Sequence, residues 1–225
     1  NITGATAGMN NYGYRCIVTS SCSPIAVTSN CGSLTVNATA NITGQPANST
    51  VCAGSNTSFT IAASGSSLTY QWELSTDGGI SYSSIVNGGV YTGVTTATLN
   101  LTAVIAGMNS YRYRCIINAC STSMTSSPAI LTVNLPVGIT TNPVSKTICN
   151  TGTTNFAVTA SGSSPVYQWQ LSTAGAGGPW INIANGGVYS GATTATLTLS
   201  GVTGAMNAYQ YRCAVTGPGV CGSVT

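Results

Sequence analysis

The chain has 225 residues, only 3% of them charged, and its formal net charge at pH 7 is +3. Five basic and two acidic side chains spread over this length form no basic stripe, which argues against nucleic-acid binding. The apolar content of 43% argues against a disordered chain, yet no run approaches the roughly 18 apolar residues of a membrane span.

The composition indicates an all-β protein. The strong helix formers Glu, Lys, Arg and Leu are scarce, and β-branched and aromatic residues stand between turns rich in Gly, Asn and Ser. No signal peptide is visible at the start of the chain, so we interpret the sequence as part of a longer mature polypeptide. Nine cysteines indicate an oxidising compartment outside the cytosol.

A signature of eight residues occurs three times. It reads MNNYGYRC at 9–16, MNSYRYRC at 108–115 and MNAYQYRC at 206–213. The cysteines that end it are 99 and then 98 residues apart. Self-similarity at such a period indicates one structural unit that is used repeatedly.

The repeat predicts three segments. Residues 1–37, the first segment, carry the C-terminal part of a repeat with its strands F and G. Residues 38–134, the second repeat, are complete, and residues 135–225, the third repeat, stop before their own Leu-Thr-Val strand. Short linkers are expected near Pro46 and Pro143.

Alternation within the second repeat predicts short strands. Phe59 and Ile61 share one face of a first strand, and Trp72 and Leu74 share one face of the next. Period-two alternation is what a half-buried antiparallel strand requires, and the Asp-Gly-Gly at 77–79 suits a hairpin turn. The third repeat follows the same order. About seven strands per roughly 98 residues are typical of a Greek-key β-sandwich.

These segments resemble immunoglobulin-like domains. Trp72 and Trp169 stand where that family keeps a buried tryptophan on strand C. Tyr113 and Tyr211 lie two residues before the signature cysteine, which is the spacing of the family's tyrosine corner, and Asn109 stands where the family often has aspartate. The resemblance implies tandem Greek-key sandwiches with these two tryptophans and two tyrosines in their cores.

The repeats depart from the family at one position. Phe59 and Ile61 occupy the zone of the strand-B cysteine, and Cys52 lies 20 residues before Trp72, which argues against the usual bridge between strands B and F. Among subfamilies, the VCAG, YQW, GGVYxG, TTATL and YRC motifs resemble the tandem repeats of large secreted bacterial surface proteins and adhesins.

All cysteines are candidate disulfide residues: Cys16, Cys22, Cys31, Cys52, Cys115, Cys120, Cys149, Cys213 and Cys221. The spacing from the signature cysteine to the next one drifts between repeats, which argues against the fixed geometry of a zinc site and favours disulfides. Calcium would require more carboxylates than the chain has. We therefore predict no metal and no cofactor.

The cysteine pairing has several alternatives at this stage. Within its own repeat, Cys52 has Cys115 or Cys120 as a candidate partner, and Cys149 has Cys213 or Cys221. In the first segment, Cys22 is a candidate partner of Cys31 across a hairpin. A leftover cysteine would bridge adjacent repeats or adjacent chains.

No catalytic residue is predicted. General acid–base catalysis needs a titrating side chain beside the reacting atom, but the chain has no histidine and its only carboxylates are Glu73 and Asp77. Glu73 is instead expected to pair with Arg112 or Arg114 across the exposed face of neighbouring strands, which contributes about 0.2–1 kcal/mol.

Two aromatic residues are candidates for surface binding. Tyr82 and Trp180 stand at matched positions and have the chemistry to stack on sugars. The same recurrence beside apolar faces favours the alternative that they serve packing.

The sequence predicts a structural component of an extracellular bacterial filament or adhesin stalk, located at the cell surface. Its expected partners are neighbouring repeats or copies of itself, with strand exchange between subunits as one variant. The alternative is a recognition module of an adhesin that binds a glycan or a protein on a cell surface.

Overall fold

The computed structural model describes residues 1–120, 122–219 and 221–225, and side chains 23 and 24 lie outside this description. By internal packing the chain forms two compact units. The first unit comprises Asn1–Asn48, Ser58–Asn100 and Arg112–Ile130, and the second comprises Ser49–Thr57, Leu101–Tyr111 and Leu131–Thr225.

The described chain consists of short β-strands and three one-turn 3-10 helices. The helices precede the signature cysteines and are Ala7–Met9, Ala106–Met108 and Gly204–Met206. The strands of the first segment are β1 (Gly13–Tyr14), β2 (Ile17–Ser20), β3 (Ser23–Thr28) and β4 (Gly32–Ser33). β1 pairs with β4 and β2 with β3, all antiparallel, and the described side chains of these strands are exposed.

The second repeat has strands that are shorter and more numerous than the sequence predicts, because breaks at residues 45–48, 61 and 126–128 divide three of them. They are β5 (Asn41–Gly44), β6 (Ser49–Cys52), β7 (Thr57–Thr60), β8 (Ala62–Ser64), β9 (Thr69–Ser75), β10 (Ser83–Ser84), β11 (Tyr91–Thr92), β12 (Thr98–Leu101), β13 (Arg112–Ala119), β14 (Thr122–Thr125) and β15 (Ala129–Asn134). One sheet has the order β10-β9-β13-β15-β6, with β14 also on β13, and a second has the order β11-β12-β7.

The strands of the third repeat are β16 (Gly138–Thr141), β17 (Thr153–Ala157), β18 (Thr159–Ser161), β19 (Val166–Ser172), β20 (Ile181–Asn182), β21 (Tyr189–Ser190), β22 (Thr196–Ser200), β23 (Gln210–Thr216) and β24 (Ser223–Val224). Its sheets have the orders β20-β19-β23-β24 and β17-β22-β21. The prediction of all-β immunoglobulin-like sandwiches is therefore confirmed.

The tryptophan of each repeat lies at the centre of its sandwich. Trp72 is opposite Cys115 on β9 and β13, and Trp169 is opposite Cys213 on β19 and β23. Both indoles are fully buried, and buried side chains also alternate with more exposed ones along β12, β13, β22 and β23. Each indole N–H donates to a loop carbonyl, of Thr96 or Thr194, at 2.9 Å, so the buried donor is satisfied.

The loop that receives the indole N–H depends on glycine. Gly93 and Gly191 adopt φ of +75° and +76°, a left-handed conformation that glycine tolerates best. A Cβ at either position would collide with the carbonyl oxygen of Thr98 or Thr196. The GGVYxG motif therefore places the carbonyls that hold the tryptophans.

Candidate functional site

The last strand of the second repeat lies between two others. β15 is antiparallel to β13 and parallel to β6. Its inward side chains Ala129, Leu131 and Val133 are buried, whereas Thr132 between them is exposed. Alternation of Ala, Leu and Val thus fits this strand into an apolar slot.

Three hydrogen bonds from the signature hold this strand. Ser110 N–H donates to the Leu131 carbonyl at 2.8 Å, and Leu131 N–H donates to the Tyr111 carbonyl at 2.9 Å. Val133 N–H donates to Asn109 Oδ1 at 2.9 Å. Ser110 has a positive φ of 70°, which turns its N–H toward the strand. We call these three hydrogen bonds the closing triad.

The first segment repeats the closing triad. Asn11 N–H donates to the Leu34 carbonyl at 2.8 Å, and Leu34 N–H donates to the Tyr12 carbonyl at 2.9 Å. Val36 N–H donates to Asn10 Oδ1 at 2.9 Å. Asn11 has the same positive φ, at 66°. A Leu-Thr-Val segment is therefore held in the same way twice.

The third repeat has the signature residues of the closing triad but not the strand that they would hold. Ala208 adopts φ of 67°, as Asn11 and Ser110 do, and stands between Asn207 and Tyr209. Within the described residues, neither Ala208 N–H nor Asn207 Oδ1 has a hydrogen-bond partner, and no strand of the third repeat is equivalent to β15.

A groove of about 480 Å³ marks this open strand position, and we call it the acceptor groove. Its apolar lining includes Ile148, Phe156, Val202, Met206 and Tyr211. All of these are only partly buried, whereas their second-repeat counterparts Phe59, Val104, Met108 and Tyr113 are at most 4% exposed. Partial burial still raises the pKa of Tyr211 above its usual range, with its hydrogen bond to Tyr189 as a smaller cause.

The disulfide of the structure joins Cys52 to Cys221, which are 169 residues apart, with Cα atoms 5.4 Å apart. This differs from the candidate partners named for Cys52 within its own repeat, and it joins adjacent repeats, the alternative left open for a leftover cysteine. The reason is that Cys52 ends β6 opposite Asn134, the last residue of β15, and Cys221 lies in the connection after β23. Gly217 of that connection lies close to Val137, which stands between β15 and β16. Both cysteines belong to the second compact unit.

The seven other cysteines are free thiols. Cys22 and Cys31, predicted as partners across a hairpin, are both exposed and unbonded, as is Cys16. Cys120 and Cys149 are also exposed.

Cys115 and Cys213 are buried thiols that face the core, because they alternate inward on β13 and β23. Burial raises the pKa of Cys115 to about 11 and raises that of Cys213 in the same direction. They are thus inward-facing packing residues rather than bridge residues of this structure.

Glu73 pairs with Arg114, one of the two arginines that the sequence offers. Arg114 Nε lies 2.7 Å from Glu73 Oε2 on the neighbouring strands β13 and β9. The expectation of an exposed pair was wrong in one respect, since Glu73 is only 9% exposed. The ring of Tyr82 lies 3.9 Å from the Arg114 guanidinium carbon, so Arg114 is held between the carboxylate and the ring.

The third repeat has the same arrangement without the carboxylate. Arg212 Nε donates to Gln170 Oε1 at 2.8 Å, and its guanidinium carbon lies 4.3 Å from the Trp180 ring centroid. Tyr82 and Trp180 are both partly buried, and an arginine covers one face of each ring. The two candidate binding residues therefore lie in equivalent packing positions.

Asp77 organises the turn after β9. Its carboxylate accepts hydrogen bonds from the Ser75 and Ser81 hydroxyls, at 2.7 and 2.5 Å, and from the N–H groups of Ile80 and Ser81. These donors, with the Ser81 hydroxyl first, hold the pKa of Asp77 well below its usual range.

Across residues 1–120, 122–219 and 221–225, no three His, Cys, Asp or Glu side chains group in a way that would hold a metal ion. In the same described ranges, no helix has the length and apolar character needed to cross a membrane.

Comparison with known proteins identifies the fold. Residues 41–135 match a family model described as a domain of unknown function (DUF8696), and the search of curated proteins gave no match. The chain is similar to the I-band fragment I67–I69 of titin, at 18% identity and a TM-score of 0.63, over 83% of this chain and 63% of the fragment.

Other solved structures give the same result. Immunoglobulin domains 1–5 of Sidekick-1 match at 17% identity and a TM-score of 0.63, over 99% of this chain and 46% of theirs. The IG1+IG2 structure of DIP-gamma matches at 14% identity and a TM-score of 0.50, over 82% and 93%. The chain spans less than two thirds of the titin and Sidekick-1 structures. At such identities the likeness establishes one thing, an immunoglobulin-like fold.

Proposed function

We propose that the chain is a structural segment of an extracellular bacterial filament or adhesin stalk built from tandem immunoglobulin-like repeats. The observation that carries this proposal is the closing triad, which occurs twice with its strand and once without it. A unit that is closed by the same strand each time can be strung in series, because each repeat mainly contacts its neighbours. Residues 1–37, 38–134 and 135–225 are the proposed units.

The acceptor groove of the third repeat supports strand exchange between subunits. The proposed donor is the segment 32–36 of a second copy, whose Leu34 and Val36 match Leu131 and Val133 and would exchange their hydrogen bonds within the first segment for those of the acceptor groove. Ala208 N–H, Tyr209 O and Asn207 Oδ1 would hold the donor through the three bonds of the closing triad. Strand addition of this kind gains affinity from main-chain hydrogen bonds and specificity from the pockets for alternate side chains.

The first segment also exposes side chains whose counterparts in the second repeat are buried. Tyr14, Cys16 and Val18 are exposed, Tyr14 at 40%, whereas the matched Tyr113 and Cys115 are fully buried. The segment therefore exposes apolar surface that a neighbouring sandwich would cover. The disulfide and the scarcity of charge fit a protein that functions in an oxidising environment outside the cell.

The acceptor groove can be tested with a peptide. A fluorescently labelled peptide of sequence 126–135, SSPAILTVNL, should bind the full chain in reducing buffer, and the anisotropy of the peptide's fluorescence should rise. Asn207→Ala in the protein should weaken binding, since the peptide loses the counterpart of the Val133 hydrogen bond. The matched control peptide carries serine in place of Leu131 and Val133 and should not bind. Equal binding of both peptides would contradict the proposed groove.

Assembly can be tested by electron microscopy of the purified chain. In reducing buffer, the wild-type protein at high concentration should form rods or filaments. The Leu34→Ser, Val36→Ser double variant should stay dispersed in the same buffer. Dispersed globular monomers of the wild-type protein would count against the filament proposal.

A recognition module is the alternative function. Tyr82 and Trp180 support it less well than they support packing, because an arginine already occupies one face of each ring. Binding on a glycan array that disappears in Tyr82→Ala or Trp180→Ala would favour recognition over scaffolding.

A further inference from the structure

Cys52, the first cysteine of the Cys52–Cys221 disulfide, has an unbonded counterpart in the third repeat. Cys149 matches Cys52 in the repeat, and the backbone after both takes the same course. Gly54 N–H donates to the Val104 carbonyl at 2.7 Å, and Thr151 N–H donates to the Val202 carbonyl at 2.7 Å. Cys149 thus occupies the position of Cys52 in the repeat, but it lies outside any strand, and its thiol is exposed and free.

The second cysteine of the bridge also has an unbonded counterpart. Cys221 lies in the connection between β23 and β24, which pair through Thr216 and Ser223. Cys120 lies in the equivalent connection between β13 and β14, which pair through Asn118 and Ser123. Cys120 is likewise exposed and free.

We propose that Cys149 and Cys120 are the two halves of a second bridge of the Cys52–Cys221 kind, formed between copies of this chain. Cys149 of one copy bonds to Cys120 of another, so that the copies are linked head to tail. Two different thiols form each bond, and each copy therefore has one free position of each type. In the serial assembly proposed above, the result is a covalent chain of copies.

The surroundings of Cys120 favour it over Cys22 as the partner of Cys149. Cys22 also lies in a hairpin connection, between β2 and β3, but the described side chains of that hairpin are exposed. Cys120 follows a strand whose Tyr113, Cys115 and Ile117 are fully buried, as Cys221 follows one whose Cys213 and Val215 are buried. Cys221 and Cys120 thus each follow a strand with buried core residues, which Cys22 does not.

The bond formation balances with a small disulfide as oxidant. The Cys149 thiolate attacks oxidised glutathione and releases one reduced glutathione, and the Cys120 thiolate then attacks the mixed disulfide and releases the second. Two thiols lose two protons and two electrons, and one glutathione disulfide gains them. The environment of an extracellular protein supplies oxidants of this class.

The test uses two complementary variants of the full chain. Both carry Cys16→Ser, Cys22→Ser and Cys31→Ser, one adds Cys120→Ser, and the other adds Cys149→Ser. In a glutathione redox buffer each variant alone should stay a monomer of 22.5 kDa on a non-reducing gel, and their mixture should give a dimer of twice that mass. A peptide map of the dimer should contain a Cys120–Cys149 link, beside an intact Cys52–Cys221 link that shows both chains to be folded.

Three outcomes would overturn the inference: dimers of either variant alone in the same yield as the mixture, no dimer from the mixture, or a wild-type map in which Cys149 is linked mainly to Cys22 or within its own chain. The inference deepens the proposed serial assembly and rests on it. The two fail separately, because peptide binding to the acceptor groove is measured in reducing buffer and the dimer in oxidising buffer.

Discussion

Arg114 donates to Glu73 at 2.7 Å, and Arg212 donates to Gln170 at 2.8 Å, so the same guanidinium position is held with a charged acceptor in one repeat and a neutral one in the next. In both repeats the guanidinium also lies over the ring of Tyr82 or Trp180. The arrangement therefore requires an acceptor oxygen and an aromatic ring, and the carboxylate charge is dispensable.

We predict that Glu73→Gln lowers the free energy of unfolding by about 1 kcal/mol or less, because the amide oxygen still accepts from Arg114. Glu73→Ala should cost about 1–3 kcal/mol, since Arg114 loses its acceptor. Urea denaturation of both variants checks this, with Gln170→Ala as the matched change in the other repeat. A Gln variant as unstable as the Ala variant would show that the charge itself matters.

The buried tryptophans give a second prediction. Trp72→Ala should cost about 3–5 kcal/mol because a fully buried indole leaves a cavity. Trp72→Phe should fall between this variant and the wild type, because the Thr96 carbonyl loses the indole N–H but most of the volume remains. Thermal unfolding measures both, with Trp169→Phe as the matched variant. Wild-type stability of Trp72→Phe would contradict the role given to the indole hydrogen bond.

The strand pattern of the fold was predictable because side-chain alternation is a local property. The period-two apolar positions around Trp72 and Trp169 and the glycine-rich turns are set by residues a few positions apart. The burial of Glu73 was not predictable in this way, because its partner Arg114 lies on another strand and the Tyr82 ring that covers Arg114 lies in the connection before β10.

The disulfide and the acceptor groove bring together residues that are far apart in the chain, and side-chain alternation does not predict such contacts. Cys52 and Cys221 are 169 residues apart, and no spacing rule relates a strand end to a loop of the following repeat. The asparagine of the signature was noted as a family feature, but its role as an acceptor for Val36 and Val133 needs the position of the closing strand. Its recurrence at Asn10, Asn109 and Asn207 was the signal in the sequence.

Asn109 gives a third prediction. Asn109→Ala should lower the free energy of unfolding by about 1–3 kcal/mol, because Val133 is buried and its N–H would lose its acceptor. Asn207→Ala is the matched control and should have little effect in the chain alone, since the described part of the third repeat has no closing strand for it to hold. Urea titrations of the two variants compare them. Equal losses would contradict the asymmetry between the repeats.

Asp77 gives a prediction about pH. Its pKa is lower in the folded chain than in the unfolded chain, so its contribution to stability is complete above about pH 4 and is lost as the pH falls further. Asp77→Asn should lower the melting temperature at pH 7 and flatten its dependence on pH between about 4 and 2. Thermal melts at several pH values check this, with Glu73→Gln as the control. Identical pH profiles for wild type and Asp77→Asn would show that the turn does not depend on the carboxylate.

The buried thiols give the last prediction, which separates the core cysteines from those that are free to form bridges. Because burial raises the pKa of Cys115 to about 11, its thiol is protonated at pH 8, and burial also blocks the reagent. Iodoacetamide should therefore modify Cys16, Cys22, Cys31, Cys120 and Cys149 in the native protein, while Cys115 and Cys213 react only after denaturation.

Mass spectrometry after timed alkylation measures this order for each residue. A Cys115→Ala variant is the control, since it should leave the native alkylation pattern of the exposed cysteines unchanged. Fast native modification of Cys115 would mean that β13 opens readily, and the sandwich around Trp72 would then be less closed than its burial indicates. Slow modification of Cys120 or Cys149 would mean that the thiols proposed to link copies are not accessible to one another.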